Sequence, residues 1–272
     1  MKKNLMIFMG LFISFVISAQ VETTIFADDE NSVKSFPEQS KSQSGLWGYS
    51  GKPGVWDYPV IPGMEEWKKL RTNEEMLNAT QIPEEVLKSL STEDLIDLCL
   101  RYPLNVTLLV YSNTNFGFET MFREFNGLRE LYQRKDVSNS LIAQYMDKLQ
   151  SFSLLHDPAP DFPKAPFKSA VSLLEVFLSR IEWDEKEGKE SLNAVLQSLV
   201  AGFEAKANCA DEFKGSGFRT NFYARANVIS KMDSSFVDHL FRKEKNSAFS
   251  SGWITDEETV GLINEWSYRL IK

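Results

Sequence analysis

The segment SAVSLLEVFLSRIEW, residues 169–183, carries the clearest fold signal in the chain. Its large apolar side chains recur every three or four positions, which places them on one face of an α-helix: Ala170, Leu173, Leu174, Phe177, Leu178 and Ile181. The opposite face carries Ser172, Glu175, Ser179 and Glu182. The pattern predicts an amphipathic helix whose polar face meets solvent.

The same period recurs in other segments of the chain. It appears in SLNAVLQSLVAGF through Leu192, Val195, Leu196, Leu199 and Phe203, and in the C-terminal segment through Leu262, Ile263, Trp266 and Leu270. Residues 137–150 and 219–232 are weaker helical candidates. TLLVYS, residues 107–112, is the best strand candidate, but a single strand does not form a sheet. The sequence therefore predicts an all-α fold, a multi-helix globular body of about eight amphipathic helices.

Capping signals mark where three of these helices begin. Ser91-Thr-Glu-Asp94 and Thr255-Asp-Glu-Glu258 have the spacing of a capping box, in which the first side chain binds a free backbone N–H. The first capping box precedes the apolar run Leu95, Ile96, Leu98 and Cys99. Pro83 followed by Glu84 and Glu85 predicts a first helical turn, because proline needs no donor there and acids favour the positive end.

The aromatic segment NFGFETMFREFNGLRELYQRKD, residues 115–136, has two interpretations. Rings interleaved with basic side chains would form a stacking surface for bases or sugars, whereas rings on one helical face would belong to the core. On a single helix the large apolar side chains share an arc of about 120°: Phe118, Met121, Phe122, Phe125, Leu128 and Tyr132. The charged side chains lie opposite and predict the pairs Glu119–Arg123 and Glu130–Arg134. We therefore predict that the rings are core.

The N-terminus predicts export. Residues 1–19, MKKNLMIFMGLFISFVISA, combine two lysines, an apolar run and a small residue at the end, as secretory signal peptides do. The run is shorter than the roughly 20 apolar residues of a membrane-spanning helix, so no integral membrane segment is expected after cleavage. Residues 20–62 read as a flexible leader and an extended arm rich in Gly, Pro and aromatics, and residues 63–272 as a helical domain. The expected location is extracytoplasmic, either periplasmic or secreted.

The charge of the chain argues against nucleic acid as a partner. The net charge is −8, and loss of Lys2 and Lys3 with the signal peptide leaves 28 basic against 38 acidic residues, or −10. Nucleic-acid binders carry a concentrated basic footprint instead.

The arm carries the candidate binding residues. Trp47, Tyr49, Trp56 and Tyr58 lie among glycines and prolines, where their rings could contact a sugar or a partner protein. Alternatively the rings anchor the arm in grooves of the helical body, and their size and spacing favour this second interpretation.

The sequence shows no convincing catalytic or metal-binding motif. The two histidines, His156 and His239, and the two cysteines, Cys99 and Cys209, are too far apart for a zinc-ligand spacing. No glycine-rich phosphate loop is present, and no cofactor is expected. A Cys209–His239 thiol pair, or paired carboxylates such as those of glycoside hydrolases, would need a geometry that the sequence does not fix.

The two cysteines allow a disulfide but do not require one. A Cys99–Cys209 bond would close a loop of about 110 residues and could contribute roughly 4–5 kcal/mol. Cys99 shares a helical face with Leu95, however, so two buried free thiols are the preferred interpretation.

Three segments together resemble a known family. YPVIPGMEEWKKL, QIPEEVLKSLSTEDLIDLCLRYPL and FGFETMFREFNGLRELYQRKD, in this order over residues 58–136, are similar to an uncharacterised family of exported, helix-rich proteins from Bacteroidetes-type bacteria. The resemblance implies a secreted bacterial origin and a helical body. It implies no activity, cofactor or catalytic residue.

These observations favour a non-enzymatic binding or interaction protein of the cell envelope, with a protein or a glycan as its partner. One alternative is a hydrolase acting on envelope or dietary polymers with a carboxylate- or thiol-based site. Another is a structural or assembly role without a small ligand, which an exposed apolar patch would favour.

Overall fold

The computed structural model describes residues 56–105, 114–156, 158, 162–181, 188–242, 254 and 256–272. This part of the chain is helical and contains no strand, which confirms the all-α prediction. The predicted signal peptide, the arm up to residue 55 and the strand candidate at 107–112 lie outside the described residues.

The described residues form thirteen α-helices and one 3-10 helix, η1, at Gly215–Phe218. In chain order the α-helices are α1 Glu65–Lys69, α2 Asn73–Ala79, α3 Glu84–Ser89, α4 Thr92–Leu100, α5 Thr114–Glu124, α6 Asn126–Leu131, α7 Val137–Gln150, α8 Ser153–His156, α9 Lys164–Ser179, α10 Gly188–Asn208, α11 Arg219–Met232, α12 Ser234–Arg242 and α13 Glu257–Leu270. The expected number, about eight, was too low because five short helices of four to seven residues join the longer ones. None of the described helices is long and apolar enough to cross a membrane.

Helix α9 is the centre of the fold, and the predicted solvent-facing side of this helix was wrong. All seven residues from Leu173 to Ser179 are buried, including Glu175 and Ser179 from the predicted polar face. A helix covered on all sides lies inside the fold. Helix α9 packs against α11, α7 and α4, and α10 packs against α7 and α11 on the next layer.

The aromatic segment forms two helices rather than one. The backbone of Phe125 is extended, with φ −108° and ψ 119°, and separates α5 from α6. The Phe125 ring is fully buried and stacks on Tyr102 at 3.9 Å between ring centroids. The Asn126 side chain fixes the break, because it accepts from the Ile82 backbone N–H at 3.0 Å and donates to the Ile82 carbonyl at 2.7 Å. A Cβ at Gly127 would overlap the fully buried Phe125 ring and lie 2.8 Å from Ile82 Cδ1, so a side chain there would force this packing to shift.

Helix boundaries follow the sequence signals closely, with two shifts. The two weaker candidates, at 137–150 and 219–232, are α7 and α11. Ser91 caps α4 by accepting from the Asp94 backbone N–H at 3.1 Å, as predicted. Pro83 lies one residue before α3 rather than in its first turn. The cap of α13 is Asp256, one residue later than predicted.

Candidate ligand-binding cleft

A large cleft lies where α5, α6 and the start of α7 meet the end of α9, the start of α10 and α11. Its volume is about 1140 Å³, slightly above the usual range of about 300–1,000 Å³ for small-molecule sites. The described residues that line it are Phe118, Glu119, Phe122, Arg129, Tyr132, Gln133, Val137, Ser179, Arg180, Ile181, Gly188, Lys189, Leu192, Asn227 and Lys231. A second cleft, of about 310 Å³, lies between α4 and the start of α9.

The floor of the large cleft is aromatic. Phe118, Phe122 and Tyr132 pack against one another, with ring centroids 5.6–5.9 Å apart. Phe118 is buried, whereas Phe122 and Tyr132 are half-buried. Tyr132 is fixed by its hydroxyl, which donates to the Phe177 carbonyl at 2.7 Å. The prediction that these rings are core is confirmed for Phe118, whereas Phe122 and Tyr132 pack against the core and also face the cleft.

Cationic side chains surround these rings. Among the described lining residues, four are cationic, Arg129, Arg180, Lys189 and Lys231, and one is acidic, Glu119. These five side chains therefore carry three net positive charges, in a chain whose net charge is −8. Such local focusing of one sign favours a ligand of the opposite sign.

The prediction that rings and basic side chains point away from each other was incomplete. The Arg180 guanidinium, from the end of α9, lies 4.8 Å from the centroid of the Phe118 ring, a cation–π distance. Arg180 also pairs with Glu119, so the predicted Glu119–Arg123 pair was wrong. Arg123 instead contacts Glu124 at 3.1 Å. The predicted Glu130–Arg134 pair is present at 2.8 Å.

Two of the cations are held by backbone carbonyls. The Lys231 ammonium donates to the Ser179 and Ile181 carbonyls, at 3.1 and 3.0 Å, at the C-terminal end of α9. Cations are favoured there because the last carbonyls of a helix lack intrahelical donors. Arg129 donates to the Arg123 carbonyl at 2.5 Å, across the break between α5 and α6. The fold therefore positions these charges before any ligand arrives.

A second polar cluster lies inside the protein, centred on Glu175. This carboxylate is fully buried and accepts hydrogen bonds from four side chains at 2.5–3.0 Å: Tyr145, Lys206, Thr220 and Asn221. Burial lowers the pKa of the Lys206 ammonium from its ordinary value, and the nearby Glu175 opposes that shift. Burial also raises the pKa of the Tyr145 phenol well above its ordinary value. A buried ion pair with satisfied hydrogen bonds ties α7, α9, α10 and α11 together.

A further buried cation, Arg225, lies near this cluster. Its guanidinium lies 4.5 Å from the Phe203 ring centroid and donates to the Ser267 hydroxyl at 3.3 Å. Burial lowers the pKa of Arg225 to about 10. None of Glu175, Lys206 and Arg225 lines either cleft. We interpret this interior cluster as structural.

The two cysteines are free thiols, and neither is joined to the other. Cys99 is fully buried in α4. Cys209 lies 3.1 Å from Nε2 of His156, measured from Sγ, so its histidine neighbour is His156 and not His239, the partner that the sequence left open. Burial, reinforced by Glu212, raises the pKa of the Cys209 thiol. The thiolate is the nucleophilic form of cysteine, and the raised pKa of Cys209 disfavours that form.

The two described rings of the arm anchor it to the body. Tyr58 is 2% exposed, and its hydroxyl donates to the Leu98 carbonyl at 3.1 Å. Trp56 packs edge-on against Tyr58 at 5.1 Å. Between them, Asp57 pairs with Arg101 at 2.6 Å. Tyr58 therefore presents no ring face to a ligand. The other two predicted rings, Trp47 and Tyr49, lie outside the described residues.

Comparison with known proteins supplies no further assignment. Protein-family models, curated proteins and solved structures all give no match to this chain. Within the described part of the chain, no group of three or more His, Cys, Asp or Glu side chains is placed to hold a metal ion.

Sequence reasoning missed the cationic residues of the cleft. The segment 115–136 supplies the rings and Arg129, but Arg180 and Lys231 come from helices that lie tens of residues further along the chain. Their positions depend on how α9 and α11 pack against α5, which leaves no local sequence pattern. The one local signal was the dipeptide Asn126-Gly127, a common turn marker, which indicates the break beside Arg129.

Proposed function

We propose that this chain is a non-enzymatic binding protein of the bacterial cell envelope, exported by the signal peptide at residues 1–19, and that the large cleft holds its ligand. One observation carries the proposal: rings and cations from five helices or their ends converge on a cleft large enough for a small molecule. A few charged groups placed over an apolar wall are typical of ligand sites.

The hydrolase alternative has weaker support. Its best candidate is the pair of Cys209 and His156, yet the pKa of the thiol is raised rather than lowered. Cys209 as a residue is also only 5% exposed, which leaves little access for a polymer substrate. Among the described residues that line the large cleft, Glu119 is the one carboxylate, whereas glycoside hydrolysis uses two. These features favour binding over turnover.

The assembly alternative lacks a specific supporting observation. The large apolar side chains exposed among the described residues are Phe116, Leu154 and Tyr268. They lie on α5, α8 and α13, three different helices. An assembly surface would instead present a contiguous apolar patch.

A thermal-shift screen with cleft variants tests the proposal. The chain without residues 1–19 would be heated with glycans, cell-wall fragments, peptides and small organic acids. A ligand at about a hundred times its Kd adds about 2.7 kcal/mol to stability, which corresponds to a shift of roughly 5–10 °C. Phe122→Ala removes a ring from the aromatic floor of the cleft. It should reduce the ligand-induced shift in Tm, measured from the Tm of the ligand-free variant.

Phe116→Ala is the matched control. It deletes the same ring from the same helix, but Phe116 is 53% exposed and does not line the cleft. The proposal requires that this control keep the full ligand-induced shift. A ligand whose shift survives Phe122→Ala unchanged would bind elsewhere, and a ligand that the protein converts to a product would support the hydrolase alternative.

A further inference from the structure

The cleft has a distribution of apolar and charged groups that defines a class of ligand. Its large buried side chains are apolar, namely those of Phe118, Val137, Ile181 and Leu192. Its cations are more accessible, since Arg129 and Arg180 are half-buried and Lys189 and Lys231 are exposed. A ligand that satisfies both regions needs an apolar body and a negatively charged head.

We infer that the cleft binds a small amphiphilic anion: an aromatic or branched apolar group enters between the rings while a carboxylate or sulfonate meets the cations. The inference rests on the proposed function and specifies the ligand of that same site. A charge-assisted hydrogen bond to Arg or Lys is stronger than a neutral one. Among the described residues the Arg129 guanidinium has carbonyl partners alone, so its charge is not matched by a carboxylate there.

The charge pattern argues against two simpler ligands. A purely apolar molecule would fill the floor but leave the Arg129 guanidinium with only its backbone carbonyl partners among the described residues. A small inorganic anion would meet the cations but leave the rings in contact with water. The amphiphilic anion uses both regions, and the position of Arg180 over the Phe118 ring brings the two regions into contact.

A pair of fluorescent probes separates these possibilities. 8-Anilinonaphthalene-1-sulfonate has an apolar double-ring body with one anionic group, and N-phenyl-1-naphthylamine has the same body without the sulfonate. Titration of each probe into the folded chain gives two affinities, with inorganic sulfate as the competitor that lacks the apolar body. We expect the sulfonate to bind about tenfold more tightly than the neutral probe, as for one charge-assisted contact worth about 1.4 kcal/mol. Sulfate should displace neither probe.

Charge reversal at Lys189 tests whether the cations of the cleft attract the anionic group of the ligand. Lys189 is exposed and lies in the first turn of α10, where an acidic side chain is tolerated by the helix dipole. Lys189→Glu should therefore keep the fold and reduce the affinity ratio of the two probes by at least about threefold. Lys214→Glu is the matched control, because it makes the same change in net charge at a solvated residue beyond the opposite end of α10. It should leave the ratio unchanged.

The probe titrations have several possible results that would overturn the inference, each in a different way. Equal affinities that both fall with Phe122→Ala would overturn the anionic class while leaving the cleft as a binding site. Absence of binding by either probe, or binding unaffected by Phe122→Ala, would overturn the amphiphile assignment. The thermal-shift screen would then decide separately whether the cleft binds another class of ligand. A reduced ratio in Lys214→Glu as well as in Lys189→Glu would trace the preference to net charge and overturn the role of the cleft cations.

Discussion

Replacement of Gly202 by alanine should destabilise the protein by about 3–5 kcal/mol. A methyl group at this position would overlap the Tyr145 hydroxyl and lie 2.6 Å from Tyr145 Cζ. Tyr145 is fully buried, and its hydroxyl donates to Glu175 at 2.8 Å. Overpacking of a core costs typically 1–3 kcal/mol, and a hydrogen bond to a charged group contributes about 1.5–3 kcal/mol. The added methyl group would impose both costs, because the ring cannot move without leaving the carboxylate.

The assay is urea unfolding of the chain without residues 1–19, followed by far-UV circular dichroism. Gly261→Ala is the matched control. It is the same substitution in helix α13, where an added methyl group meets no atom within 4 Å. Removal of a helical glycine at such a site should stabilise the fold by about 0.5–1 kcal/mol. The two variants should therefore change the free energy of unfolding in opposite directions.

A double-mutant cycle isolates the clash from other effects of Gly202→Ala. Tyr145→Phe removes the hydroxyl that the new methyl group would overlap, at the cost of one hydrogen bond to Glu175. The double variant should therefore be less destabilised than the sum of the two single variants, by at least about 1 kcal/mol. Additivity within about 0.5 kcal/mol, or a loss below about 1 kcal/mol for Gly202→Ala alone, would refute this account of the Glu175 cluster.

Three further predictions concern stability. Lys206→Met should lower the free energy of unfolding in urea by about 3–5 kcal/mol, since it leaves the Glu175 carboxylate buried without its counter-ion. Adding Glu175→Gln should restore part of that free energy. A double variant as unstable as Lys206→Met alone would contradict the ion pair. Burial raises the pKa of Tyr102 to about 12 from 10.0, so the unfolded chain loses this proton first and stability falls as pH rises through 10–12. Tyr102→Phe should remove about 1.4 kcal/mol of that loss at about pH 11, and an unchanged pH dependence would exclude the burial effect. Asp256→Ala should cost about 1 kcal/mol, because the Thr259 backbone N–H loses its cap acceptor; Asp256→Asn keeps an acceptor and should cost less.

The fold class follows from periodicity, but the position of each helix within the fold does not. In α9 the apolar face was predicted correctly, whereas Glu175 was assigned to solvent because a carboxylate is ordinarily exposed. Its partners Tyr145, Lys206 and Thr220 lie 30–45 residues away along the chain. A local pattern cannot show that such partners exist, so it cannot distinguish a buried polar position from an exposed one.

Helix breaks are missed for a similar reason. A single extended residue at Phe125 separates α5 from α6, yet its ring remains in the core with those of its neighbours. The apolar arc of the segment therefore looks continuous in sequence. The break depends on hydrogen bonds between Asn126 and the backbone of Ile82, which is 44 residues earlier.

The charged side chains among the described residues of the cleft are mainly cationic, whereas the chain as a whole is acidic. This contrast determines how the affinity for an anionic ligand should depend on salt concentration. At an ionic strength of about 0.01 M the Debye length is about 30 Å, so an approaching anion is repelled by the whole chain, whose net charge is −8. At about 0.15 M the length falls to about 8 Å, and the cations at the cleft become the nearest charges that the anion experiences. The proposed ligand should therefore lose less affinity between these two conditions than it would at a site on a uniformly cationic protein. An acidic chain can in this way remain selective for anions, because the selecting charges are fixed beside the rings that hold the apolar body.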